Sequence, residues 1–226
     1  MFSMEPLSSV MTAPDRATNS IKDYLAQVGS DLLTAFPPAE QLSAGQRRGI
    51  IARYSAVLEG NFIYWMTGAY IAAQTEEARN IIMENLHEEV RDCHPGMLHR
   101  FEIAADACPD AADVQAVYPS LIKVRLFIGR LQPAPIVAMM AFFENFIMRF
   151  MPILEEYAMR QGSTENEYTQ VHGVCDVVHS EELYHALEAE IAAANDPRDI
   201  EDYLFEGVDL LAALIRDMAA EPAVSA

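Results

Sequence analysis

Residues 172–179 read His172-Gly-Val-Cys-Asp176-Val-Val-His179, and the spacing of their polar groups decides how the whole chain is read. At about 100° per residue, a helix puts Asp176 about 40° to one side of His172 and His179 about 20° to the other. Two imidazoles and a carboxylate then share one helix face, within reach of a single ion. Val171, Val174, Val177 and Val178 flank them, so this helix reads as substantially buried rather than as a solvated polar face. Imidazole with carboxylate suits iron, manganese or zinc, and a buried ionisable cluster is a functional candidate.

The helical period continues on both sides of this stretch. Segment 163–194 carries it, and 198–219 follows Pro197. Before it, 135–161 reads as a very apolar helix that Gly162 can end, with Pro152 predicting a kink. Further upstream, 19–35 places Ile21, Tyr24, Leu25, Val28, Leu32 and Leu33 on one stripe. Segment 43–74 reads as one long helix from Ser43. Thr75-Glu76-Glu77 opens another to about Val90, Pro95 opens one to about Ala107, and Pro119 and Pro133 bound one at 119–131. Strand and hairpin patterns are poor. The expectation is an all-α bundle of seven or eight helices, one domain over 19–220, after a loose arm at 1–18 rich in Ser, Thr and Pro.

Composition narrows the function. Fifteen Lys and Arg against thirty-four Asp and Glu give a net charge of -19, which repels phosphate backbones and anionic lipid. Neither nucleic acid nor a membrane is an expected partner. The longest uncharged stretches, Gly60–Thr75 and Leu131–Phe143, are short for a bilayer. Three cysteines, Cys93, Cys108 and Cys175, do not make a disulfide framework, and a reducing cytoplasm fits them better. No secretory signal pattern opens the chain, and no glycine-rich nucleotide motif or G-x-S-x-G occurs.

All six histidines fall in two clusters, His87, His94 and His99 in one and His172, His179 and His185 in the other. Two glutamates sit in strongly apolar surroundings, Glu59 and Glu144, where an ionised carboxylate is costly unless paired or bound to metal. Facing helices that offer carboxylates and imidazoles are how helical bundles hold two irons. A competing set consists of Glu84-x-x-His87 and Glu182-x-x-His185 with the same two glutamates, a ferritin-like pattern. Glu182 and His185 lie about 80° and 140° round the helix from His172, so the two sets do not share one site. The methionines and phenylalanines of 139–151 read as core or pocket lining. Arg125 and Arg149, in apolar helices, are candidates for a substrate carboxylate or for structural pairing.

The stretch Asn85-Leu86-His87-Glu88-Glu89, followed by His94-Pro95 and Arg100-Phe101, resembles the second helix and following turn of the haem-oxygenase-like di-iron oxidases and oxygenases. The 172–179 motif resembles that family's late metal-binding helix, and the likeness covers roughly residues 50–190. The resemblance implies Glu59, Glu88, His94, Glu144, His172, Asp176 and His179 as ligands to two Fe(2+) per chain. Glu84 and Glu89 compete with Glu88, because the segment between the glutamate pair and His94 is shorter than the family pattern. Haem oxygenase itself fits poorly, since no histidine precedes His87.

The resemblance further implies an O2-dependent non-haem di-iron enzyme that oxidises a small metabolite in a biosynthetic pathway and draws on an external reductant. N-oxygenation of an amine or guanidine nitrogen, to hydroxylamine or nitro product, is the leading expectation. Oxidative C–C cleavage or decarboxylation of an amino or fatty acid is the alternative. A metal-free helical enzyme and a helical interaction protein are the readings of other classes. The sequence does not fix the oligomeric state and leaves a homodimer open.

Overall fold

Side-chain capping and backbone handedness set where the helices begin and end. A computed structural model describes residues 18–194 and 203–220, without the side chains at 18–20 and 174–177. The expected arm at 1–17 and the start of segment 198–219 lie outside the described residues. Nine α-helices occur among those described. They are α1 (Thr18–Leu33), α2 (Ala44–Leu58), α3 (Asn61–Ala72), α4 (Glu76–Arg91), α5 (His94–Ala104), α6 (Ala111–Ile128), α7 (Pro133–Arg160), α8 (Glu167–Ala193) and α9 (Glu206–Ala219). No strand occurs among the described residues.

The expected helix over 43–74 is two helices. Ser43 opens α2 with a reciprocal capping box to Gln46. Gly60 then takes φ 70°, a left-handed conformation that glycine adopts without steric cost, and the chain restarts as α3. Hydrophobic period alone does not reveal this break, because apolar residues continue through it. The helix expected over 119–131 instead starts at Ala111, where Asp110 and Asp113 form a second capping box. Pro119 lies inside it on the exposed face, where water can satisfy the freed carbonyl. Pro152 likewise sits on the exposed face of α7, and the helix continues through it.

At the end of α7 the sequence reading holds. Gly162 takes φ 92°. Its N–H donates to Met159 O at 3.0 Å, and Ser163 N–H donates to Ala158 O at 3.1 Å, the double bond pattern of a left-handed helix stop. The chain then returns as α8, which packs along α7 more extensively than any other pair of helices. α7 is long and apolar enough by composition to cross a membrane, and 72% of that window is buried inside the bundle, as a central core helix requires. Phe142, Phe143, Phe146 and Phe150 line its inner face, each 1% exposed or less.

α4 is fixed against α8 by one acid group. Glu190 of α8 is 3% exposed, and its Oε1 accepts from Gln74 N–H at 2.9 Å, Thr75 N–H at 2.8 Å and Thr75 Oγ1 at 2.8 Å. Thr75 in turn caps Ala78 N–H at 3.1 Å. A carboxylate at the positive end of α4 thus sets its height on α8. Glu190→Ala removes the acceptor from these part-buried donors. It is expected to lower unfolding free energy by about 1–3 kcal/mol in urea denaturation, with Glu190→Gln costing less because it keeps the accepting oxygen. Equal midpoints for wild type and both variants would show that the clamp carries no stability.

Candidate metal centre

The turn from α4 to α5 is unusually tight. Asp92 ends α4, Cys93 takes φ 59° and ψ 43°, and His94 is already the first residue of α5, with Pro95 behind it. A non-glycine residue in the left-handed region costs roughly 1–2 kcal/mol. In return the chain reverses at once, and His94 folds back onto Glu89 in the last turn of α4. His94 Nδ1 lies 2.6 Å from Glu89 Oε1.

The third member arrives from α8. His172 Nε2 stands 3.8 Å from the same Glu89 Oε1, and the two imidazole rings meet edge-on at 4.5 Å between centroids. Glu89, His94 and His172 are 5%, 3% and 6% exposed. Their ligand-type atoms all lie within 4.8 Å of one another. His172 Nδ1 donates to Tyr168 O at 2.8 Å, a carbonyl that can only accept. That bond commits Nδ1 as a donor and turns Nε2 toward Glu89, so Nε2 is the nitrogen that iron would take in place of a proton. A carboxylate and two imidazoles converging in a buried pocket fit iron.

Electrostatics hold Glu89 ionised and favour the protonated form of His94. Burial pushes the Glu89 carboxyl up, but hydrogen bonds from His172 and His94, with their charge, outweigh it and hold the group at about 2. Burial pushes His94 down, and the hydrogen bond and charge of Glu89, with Asp92 and Glu88 behind it, push it up further.

The remaining expected ligands distribute as follows. His179, 4% exposed, has its Nε2 2.8 Å from Oε2 of the half-buried Glu88. Both members of the glutamate pair therefore meet an imidazole of α8: Glu89 meets His172 and Glu88 meets His179. Glu144 is buried on α7 and lines the cavity beside the Glu89 group. Glu59 lines that cavity too, but it is exposed rather than buried, because the break at Gly60 puts it at a helix end. Asp176 lies on α8, with its side chain outside the described residues. The ferritin-like set does not converge: Glu84, His87 and His185 are all exposed.

The cavity holds about 120 Å³. Leu58, Phe62, Ile63, Phe143 and Ile147 give it an apolar wall, and Tyr54, Tyr168, His99 and Glu102 add polar groups. The hydroxyls of Tyr54 and Tyr168 share a 2.6 Å hydrogen bond. Tyr168, four residues before His172, was legible only as its helical neighbour, and no motif pointed to Glu102. Neither expected arginine reaches the cavity. Arg149 ties α7 to α1 through Ala26 O at 3.0 Å and Ser30 Oγ at 2.8 Å, and Arg125 lies over the Tyr64 ring at 5.1 Å.

A model of iron-containing redox enzymes matches residues 52–213, from α2 into α9. The chain belongs to this haem-oxygenase-like family. The matched span includes every residue of the metal centre and the cavity. No curated protein matches the chain. The all-α bundle is thus that of an iron-containing oxidoreductase family, and the Glu89–His94–His172 group is where this member's residues fit the iron.

Protonation and metal binding are coupled at this centre. In the metal-free protein, the depressed Glu89 carboxyl contributes stability above its ordinary value of 4.5, and that contribution is lost as pH falls toward about 2. His94 works with the opposite sign: its raised imidazole stabilises fully below 6.5 and loses the effect as pH rises through the folded value. Iron must displace the His94 proton, so Fe(II) affinity, measured by anaerobic titration, should fall as pH drops through the histidine range. An affinity flat across that range contradicts it. Glu89→Gln and His172→Ala should lose bound iron while circular dichroism stays helical, and Glu88→Gln should lose less. Wild-type iron content in Glu89→Gln would remove Glu89 from the site.

Proposed function

We propose that the protein is an O2-dependent non-haem di-iron oxygenase acting on a small nitrogenous metabolite, by N-oxygenation of an amine or guanidine nitrogen. The observation that carries this reading is the buried Glu89–His94–His172 group lining a largely apolar cavity. Glu88 with His179 supplies a second carboxylate–imidazole pair on the same two helices, which supports a site for two ions. Iron bound there would supply the electrons and the coordination that make O2 reactive.

The protein's own groups do the rest. The apolar wall excludes water and packs the substrate stem, which keeps the reacting groups from solvent. Tyr168 O holds the His172 ring in one orientation through its hydrogen bond. Charge selects the nitrogenous substrate. Glu59 and Glu102 line the cavity, and no Lys or Arg does so among the described residues. An ammonium or guanidinium group finds a counter-charge there, whereas a fatty-acid carboxylate finds none apart from the metal.

Anaerobic loading with Fe(II) is expected to give about two irons per chain. Mixing with O2 should then consume the gas faster in the presence of small amines or guanidines than of carboxylic acids of equal length, with hydroxylamine or nitro products by mass spectrometry. Iron-dependent consumption stimulated only by carboxylic acids would replace N-oxygenation with decarboxylation or C–C cleavage. An iron-free protein after loading would refute the whole reading.

A further inference from the structure

We infer that Glu102 is the residue that selects the substrate, an anchor for a cationic group at the end of the substrate away from the oxidised atom. The inference rests on the cavity being the oxidation site and deepens that reading. Glu102 is 5% exposed and lines the cavity, yet belongs to neither carboxylate–imidazole pair of the metal centre. Its Oε1 is 2.7 Å from His99 Nδ1, while its Oε2 has no hydrogen-bond partner among the described residues. The residue is buried as a whole but that oxygen is not fully enclosed, so it is open to water or to a cationic ligand.

Position on α5 fixes what that ligand must look like. His94, Leu98 and Glu102 are spaced by four, and all three are buried on the face that meets the cavity. Glu102 therefore stands two turns from His94, about 12 Å of helix rise before the reach of the side chains is subtracted. A cation held by Glu102 is displaced from the metal group, so it anchors the substrate and is not the atom oxidised. Leu98 lies between the two on α5, and Leu58, Phe62 and Ile147 add apolar side chains to the same cavity. A cavity of about 120 Å³ admits little more than a short stem, since a cavity of about 150 Å³ takes benzene. The expected substrate class is a compact aliphatic compound with a reactive nitrogen at one end and an ammonium or guanidinium at the other, such as a short diamine.

His99 has a defined place in this arrangement. Its side chain is 65% exposed while that of Glu102 is 7% exposed, so it holds one carboxylate oxygen from the solvent side. It orients the carboxylate through Nδ1.

The test uses butylammonium, butyrate and butanol as probes on the iron-loaded protein without O2, with affinity read by calorimetry and iron by metal analysis. Wild type is expected to prefer butylammonium over both others. Glu102→Gln should weaken butylammonium at least about tenfold, leave butanol unchanged and keep full iron. His99→Asn, which leaves the charge in place, should keep the preference. If Glu102→Gln does not fold, Glu102→Asp, with its charge drawn back by one methylene, should weaken butylammonium selectively. Wild type without the preference, or folded Glu102 variants with unchanged butylammonium affinity, overturn the anchor, as does loss of iron in Glu102→Gln. A wild type that selects butylammonium through Glu102 but holds no iron would keep the anchor and refute the oxygenase reading instead.

Discussion

One carboxylate, Glu89, draws three helices to a point. A negative charge buried to 5% exposure is costly, and here two imidazoles compensate it, one from the start of α5 and one from the middle of α8. Both must arrive together, because a single partner leaves the charge incompletely met. The left-handed Cys93 is the local cost of bringing His94 round in so few residues, and the Tyr168 carbonyl keeps His172 from turning away. Glu190 performs the matching task at the other end of α4, so two acid groups tie the α4–α8 interface near its two ends. Iron would enter a position already shaped by this charge pattern, replacing protons rather than reorganising backbone.

The apolar mass of α7 makes that polar centre usable. Its phenylalanines fill the middle of the bundle, and Phe143 and Ile147 continue that surface into the cavity wall. Glu144 stands among them as a buried acid that lines the cavity. The Glu89 group and Glu102 line one cavity together with apolar side chains of α2, α3 and α7, and this mixed lining is what suits it to a substrate with two different ends.

Much of this was legible from periodicity. The spacing of His172 and His179 placed both on one buried helix face, and both are buried. Glu144 in its apolar run was rightly read as interior. The unreadable parts have physical causes. Glu88 and Glu89 are adjacent, and a shift of one residue on a helix turns the side chain by about 100°. Only the tight Cys93 turn decides that Glu89 joins His94 while Glu88 faces His179. Glu59 looked interior because its neighbours are apolar, but the glycine after it ends the helix and leaves it exposed at the cavity edge. Glu102 was invisible, since nothing in its immediate sequence distinguishes a buried acid from the solvated ones of so acidic a chain.

The most direct test is anomalous diffraction at the iron edge from crystals loaded with Fe(II) without O2. The strongest peak should lie among Glu89, His94 and His172, with a second near Glu88 and His179. Iron density absent from that group, or gathered instead at Glu84 and His87, would contradict the centre on which the functional reading stands.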